Sequence, residues 1–313
     1  MSRKPKLAVP PGACDTHMHF YGKEGTQAPG TFLPGTFTVP QYREMQKQLG
    51  LERVIVVQPN AYADDNTVTL SSIREFGAKN ARGVAVVKPG VSDAELDRLT
   101  KGGMCAIRIM TLHGGTLGFD VMDELMARVH PFGWHANLQF DGREIEKHEV
   151  QIKRLPGRFV IDHTAKFLEP VTVDSAPFKC LLRLVDTGRC WVKLSAPYET
   201  SKTGAPKYED VSRLARALVK HAPERMLWAS NWPHPSARKP VPPDDADLLD
   251  LLLDWAPYDA VRRKILSDND SILSYNNLCK AFPGLFFASI YGKQPREYLQ
   301  IAEAERKEIK VKF

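Results

Sequence analysis

Two histidines separated by one residue, in the run Asp15-Thr16-His17-Met18-His19, are the first side chains here with evident chemistry. Alternate residues of an extended strand point to one side, so Asp15, His17 and His19 are expected to share a face. Two neutral imidazoles at that spacing can hold one metal ion or one substrate oxygen. The plainer reading is a pair of polar side chains satisfied within a turn. Three later runs also end in polar residues after apolar stretches. Ile161-Asp162-His163 offers a histidine to ligate a metal or polarise a carbonyl, or to serve the structure alone. Lys193 and Ser195 share a face, ahead of Ala196-Pro197-Tyr198. Ala229-Ser230-Asn231-Trp232-Pro233-His234-Pro235 closes the last apolar stretch with an amide and a histidine.

Such groups act together only if separate strands carry them to one place. Segments 13–19, 53–59, 82–89, 105–110, 135–140, 158–163, 190–195 and 225–231 read as strands. Several have continuous apolar centres, such as Val54-Ile55-Val56-Val57, as strands covered on both faces do. Helical spacing appears between them, as in Val211, Leu214, Ala215 and Leu218. Thr38-x-x-Gln41 and Ser92-x-x-Glu95 fit capping boxes, and Gly50, Gly133 and Gly188 sit where helices should stop. Alternating units imply parallel strands with crossover helices. The expectation is an α/β protein, a (β/α)8 TIM barrel over residues 8–272, as a single domain. A doubly wound open sheet is the runner-up. The proline-rich stretch 233–245 reads as a long loop on the barrel's active face. Residues 273–313 read as a C-terminal extension, with helical potential over 296–312, suited to a surface helix or a dimer contact. A homo-oligomer therefore stays open.

The chain has 313 residues, 43% hydrophobic and 26% charged, which excludes disordered, collagen-like and coiled-coil classes. No apolar run is long enough to span a membrane, and the N-terminus lacks the apolar core of a secretory signal, so a cytoplasmic address is the default expectation. Five cysteines (Cys14, Cys105, Cys180, Cys190 and Cys279) form no CxxC pair and read as buried thiols in a reduced compartment. The net charge of +6 is dispersed, which favours a small anionic substrate and argues against nucleic acid.

The phrases DTHMH, VIDH, KLS and ASNWPHP, in that order, resemble the amidohydrolase superfamily in its branch of lactone hydrolases. RGVAVV, GGMCAIRI and GWH also sit where that branch has similar phrases. The branch includes the 2-pyrone-4,6-dicarboxylate lactonases and the sulfomuconolactone and sugar-lactone hydrolases. The resemblance covers about residues 8–272 and implies a hydrolase that opens a small carboxylated or sulfonated lactone with water. It places His17, His19 and His163 near the substrate carbonyl, or around one divalent ion, with zinc the first candidate and no metal the alternative. Arg108 would hold a substrate carboxylate, suited by its bidentate fork. Gln139 stands where the pyrone lactonases have a tyrosine, and Lys166, Ser195, Tyr198 and His234 would be further substrate contacts.

Asn231 departs from the resemblance, which has an aspartate there to take a proton from the attacking water. An amide cannot act as that base. Three readings follow: a natural variant using another base, such as His234 or a metal hydroxide; an engineered substitution; or a relative that only binds ligand. On the resemblance alone, Asn231→Asp should hydrolyse a carboxylated lactone faster. A metal-dependent decarboxylase of the same superfamily is the other enzymatic alternative.

Overall fold

A computed structural model describes residues 3–77, 79–236, 242–270 and 273. Eight strands lie in one parallel sheet in sequence order. They are β1 (Cys14–Met18), β2 (Arg53–Val57), β3 (Ala81–Ala85), β4 (Met104–Met110), β5 (His135–Gln139), β6 (Phe159–Ile161), β7 (Cys190–Leu194) and β8 (Met226–Trp228). Helices cross between them: α1 (Val39–Leu49), α2 (Thr67–Phe76), α3 (Asp93–Lys101), α4 (Met122–Val129), α5 (Ile145–Arg154), α6 (Ala176–Val185) and α7 (Glu209–His221), with α8 (Asp245–Asp250) after β8. An open doubly wound sheet reverses its strand order part-way. Sequential order with contacts between β1 and β8 makes this a (β/α)8 barrel instead.

The helix ends follow their local chemistry. Ser92 Oγ accepts the Glu95 N–H at the start of α3, and Thr38 N–H donates to Gln41 Oε1 at the start of α1. Gly50 ends α1 with φ at 80°, a left-handed conformation that glycine adopts without a Cβ clash. Val211, Leu214, Ala215 and Leu218 are buried along one face of α7. Cys14, Cys105, Cys180 and Cys190 are buried free thiols; Cys279 lies outside the described residues, as does the charged segment 296–312. No helix among the described residues is long and apolar enough to cross a membrane.

Strand alternation sorts side chains into two layers. Val54 and Val56 of β2 join the main core between sheet and helices, while Ile55 and Val57 join a separate cluster with Cys14, Val84 and Ala106. Val160, Trp191 and Leu227 make a matching cluster from β6, β7 and β8. Arg108, Asp162 and Lys193 stand two residues past Ala106, Val160 and Trp191 on the same faces of their strands, and Asn137 of β5 joins them through Asp162, so a polar layer lies above an apolar floor.

β1 breaks the alternation. Asp15 pairs with Val54 but Met18 pairs with Val56, so β1 carries one extra residue, a bulge. Cys14 faces the interior before the bulge, and His17 and His19 face it afterwards, while Met18 and Phe20 pack outward. The expectation that Asp15 shares a face with the two histidines is therefore corrected. Asp15 Oδ2 instead accepts from Tyr42 of α1 at 3.0 Å and from the Ser230 hydroxyl, and Oδ1 accepts the backbone N–H of Ser230 and of His17. This carboxylate is part of the seam between β1 and β8. Thr16 Oγ1 to the Trp228 carbonyl, Asn231 N–H to the His17 carbonyl, and His19 N–H to the Trp232 carbonyl complete it.

Asp15→Ala strips the acceptor from four donors at that seam. Orphaned buried donors cost about 1–3 kcal/mol each. We expect urea unfolding to show a loss of at least about 2 kcal/mol. A midpoint equal to that of the unsubstituted chain would contradict the role of Asp15 in closing the barrel.

Candidate active site

The polar layer is organised around Asp162, just past β6. Its Oδ1 accepts from Asn137 Nδ2 at 2.8 Å and lies 3.1 Å from the Lys193 ammonium and 3.3 Å from His17 Nδ1. Burial alone would raise this carboxyl, but Lys193 and His17 outweigh it and hold it well below the ordinary carboxylate range. Burial lowers Lys193 and Asp162 draws it back up, so the two form a buried ion pair. Burial pushes His17, His19 and His163 well below the ordinary histidine value, leaving all three neutral near pH 7.

Neutral imidazoles act through the tautomer that their neighbours impose. His19 Nδ1 donates to the Val57 carbonyl at 2.8 Å, which leaves a lone pair on Nε2. That atom lies 3.2 Å from His17 Nε2. With the His17 proton on Nδ1, toward Asp162, two lone pairs converge. Two nitrogens on one zinc would stand about 3.3 Å apart, so this pair fits a single divalent ion. With Lys193, 3.3 Å away, donating to His17 Nδ1, the proton moves to Nε2 and His17 donates to His19 without any ion. Ligand atoms of His17, Asp162 and His163 also lie within 4.8 Å of one another. The Lys193 ammonium stands beside Asp162 and His17 there, and the buried Asp162 Oδ2 has no hydrogen-bond partner among the described residues. Of the three histidines read from the sequence as metal ligands, His17 thus lies close to both His19 and His163.

His163 opens a left-handed turn. Residues His163, Thr164, Ala165 and Lys166 have φ of 53°, 54°, 62° and 45°. Non-glycine residues pay roughly 1–2 kcal/mol each in that region, which persists only when the surroundings fix it. His163 Nδ1 lies 2.8 Å from Ser195 Oγ, and Lys166 is ion-paired with Glu199. When Ser195 donates to Nδ1, the His163 Nε2–H remains free to donate into the cavity.

A cavity of about 250 Å³ opens above this layer. Its walls include His19, Arg108, Gln139, His163, Lys166, Glu199 and Asn231, and its rim carries Thr31, Phe32 and His113. Phe32 is exposed although it is large and apolar. Arg108 is buried, with Nη1 donating to the Gln58 carbonyl and to Asn60 Oδ1, and Nη2 to Gln139 Oε1 at 2.7 Å. Its Nε–H has no partner among the described residues. No carboxylate lies within ion-pair distance of the guanidinium among those residues, and burial lowers its pKa while the charges of Asp162 and Glu199 act against that.

Asn231 borders the cavity with φ at 62°. Its Nδ2 donates to Tyr198 Oη at 2.8 Å and to Glu199 Oε1 at 3.3 Å. Tyr198 Oη lies 2.9 Å from His234 Nδ1, and His234 Nε2 lies 3.2 Å from Asp245 Oδ1. Burial, with Glu199 adding to it, pushes the Tyr198 phenol well above its ordinary value, so it stays protonated.

The candidate residues from the sequence divide into two tiers. His19, Arg108, Gln139, His163, Lys166 and Asn231 line the cavity. His17, Ser195, Tyr198 and His234 stand behind that lining, against other side chains. Ser195 bonds His163, and Tyr198 bonds Asn231 and lies against His234. The stretch 233–245 reaches the cavity through Pro235 and Ser236, and its residues 237–241 lie outside those described. Sequence reasoning missed Glu199, Asn60 and the Asp162–Asn137 bond. Glu199 follows the Lys193–Tyr198 run directly, and this position at the head of a strand-end loop was the available signal.

Comparison with known proteins agrees with this architecture. The amidohydrolase family model matches residues 14–269. The chain belongs to the amidohydrolase family. The D-galactarolactone isomerase of Agrobacterium fabrum is 36% identical over 86% of this chain and 93% of its own length. The 4-sulfomuconolactone hydrolase of Hydrogenophaga intermedia is 34% identical over 86% and 90%. The 2-pyrone-4,6-dicarboxylate hydrolase of Comamonas testosteroni is 33% identical over 85% and 91%. A ligand-free crystal structure from Agrobacterium tumefaciens superposes with a TM-score of 0.83 at 35% identity, covering 87% of this chain and 97% of that one.

Within this family member, Lys193→Met leaves Asp162 buried without its ammonium. Breaking a buried pair costs about 3–5 kcal/mol, and we expect urea unfolding at pH 7 to show a loss of that size. Adding Asp162→Asn should recover part of it. An unchanged midpoint in Lys193→Met would contradict the ion pair.

Proposed function

We propose that this chain opens the ring of a small carboxylated lactone by attack of water on the ester carbonyl. The observation that carries the reading is Arg108: a buried guanidinium with an unpartnered Nε–H, on the wall of a cavity that also holds neutral histidines. A cavity with a fixed cation on one wall and neutral hydrogen-bond donors on another suits a substrate that pairs a carboxylate with an uncharged ester. The lactones in the names of the relatives support the same substrate class, and a sulfonate fits the same fork.

In this mechanism Arg108 holds the carboxylate and, with Gln139, sets the position of the ring. His163 Nε2–H donates to the carbonyl oxygen and follows the charge that develops there as the tetrahedral intermediate forms. His163 stays neutral beforehand, so this donor is an imidazole whose direction Ser195 fixes. His17 and His19 would hold a divalent ion, with zinc the first candidate. Such an ion, when bound, supplies Lewis-acid polarisation and a more acidic water.

A second reading is favoured by the 36% identity to a lactone isomerase. The same carbonyl-activating wall would then serve a hydroxyl of the substrate in place of water. The decarboxylase alternative relies on a carboxylate at position 231, which this chain lacks. A ligand-binding relative would show a thermal shift without turnover. Acid release from a panel of neutral, carboxylated and sulfonated lactones, read with a pH indicator, tests these readings. We expect release from anionic lactones only; thermal shifts with no change in any lactone would remove catalysis from the account.

Arg108→Met should raise KM more than it lowers kcat, because an anion clamp contributes mainly uniform binding. The effect should fall on carboxylated lactones. Equal responses from neutral and carboxylated substrates would show that Arg108 does not read a carboxylate.

A further inference from the structure

Attack on a carbonyl needs an acceptor for the proton of the incoming oxygen. Asn231 cannot be that acceptor, and its amide hydrogens are already directed at Tyr198 and Glu199. His19 Nε2 faces His17, His163 Nδ1 is engaged with Ser195, and His113 is exposed at the rim. Tyr198 keeps its proton, and His234 lies behind it. Among the described residues that line the cavity, Glu199 carries the only carboxylate. Its side chain is 4% exposed, yet it borders the cavity together with His163 and Asn231. Lys166 pairs with its Oε2, while the Asn231 amide holds Oε1.

We propose that Glu199 is the base that takes the proton from the attacking oxygen, and that Asn231 is its positioning residue. An aspartate at 231 would set a second carboxylate about where the Asn231 amide now donates, against Glu199 Oε1. The amide at 231 and the acid at 199 are thus two halves of one arrangement, in which the negative charge sits on the loop after β7 instead of the end of β8. In the step itself, one O–H bond of water breaks and its proton passes to a Glu199 oxygen. The water oxygen bonds to the carbonyl carbon, and the C=O pair moves onto the carbonyl oxygen. Collapse reforms C=O and breaks the ring C–O bond, and the leaving oxygen takes the proton back from Glu199.

The inference rests on the lactone reading and deepens it. It holds for water or a substrate hydroxyl as nucleophile, since either must lose a proton. A product that is an isomerised lactone would therefore overturn the hydrolytic reading and leave the base assignment to be decided by the variants. The experiment measures kcat and KM on the lactone that the unsubstituted chain transforms, for Glu199→Gln, Asn231→Asp and the double variant, with thermal melting of each. We expect Glu199→Gln to lower kcat at least about a hundredfold with little change in KM. Asn231→Asp should restore at least about tenfold to Glu199→Gln. In the unsubstituted chain it should lower kcat, because the amide that holds Glu199 Oε1 is lost and two carboxylates meet. This reverses the expectation that the aspartate alone speeds the reaction. Glu199→Gln with kcat within about threefold overturns the proposal. So does a loss that Asn231→Asp fails to rescue, or an equal gain from Asn231→Asp in both backgrounds.

Discussion

A carboxylate with no exposed surface must have its water replaced by neighbours, and Asp162 draws four strands into that task. Asn137 comes from β5, Lys193 from β7 and His17 from β1, while Asp162 itself ends β6. A buried charge with these partners holds the ionised form, and the orientation of each partner follows from it. His17 becomes a ring with one edge turned to Asp162 and Lys193 and the other to His19. His19 in turn leans on the Val57 carbonyl. The direction of His17 thus traces back to one ion pair above the apolar floor, while His19 is set by His17 and the Val57 carbonyl.

The upper site depends on backbone that few residue types adopt willingly. Left-handed conformations at His163 to Lys166, Ala196 and Asn231 turn the ends of three strands back over the barrel. These turns bring Lys166 and Glu199 together and place Asn231 beside Glu199. Strain of this kind collects where a site must be held open, and here polar contacts fix each turn. The result is a cavity with two kinds of wall. Arg108 presents fixed positive charge, and His19 and His163 present uncharged hydrogen-bonding groups.

Much of this was legible in the sequence because strand ends carry the chemistry of a barrel. Apolar runs that close on Asp162-His163, Lys193 to Ser195 and Asn231 announce themselves as single segments, and their order gives the sheet. The bulge in β1 was not legible, because an extra residue in a strand leaves no compositional trace and depends on pairing with β2. For the same reason Asp15 was assigned to the wrong face. Glu199 escaped notice because a charged residue in a loop looks like solvated surface until Lys166 arrives from another loop. Tyr198 and His234 were legible as polar residues near the site, but only packing shows that they stand behind Asn231.

The central claim is that this barrel delivers water to a lactone carbonyl. Turnover in water enriched in ¹⁸O, with mass spectrometry of the product, tests it most directly. One labelled oxygen in the new carboxylate of a ring-opened acid is the expected result. An isomerised lactone without label, formed at the rate of substrate loss, would contradict it.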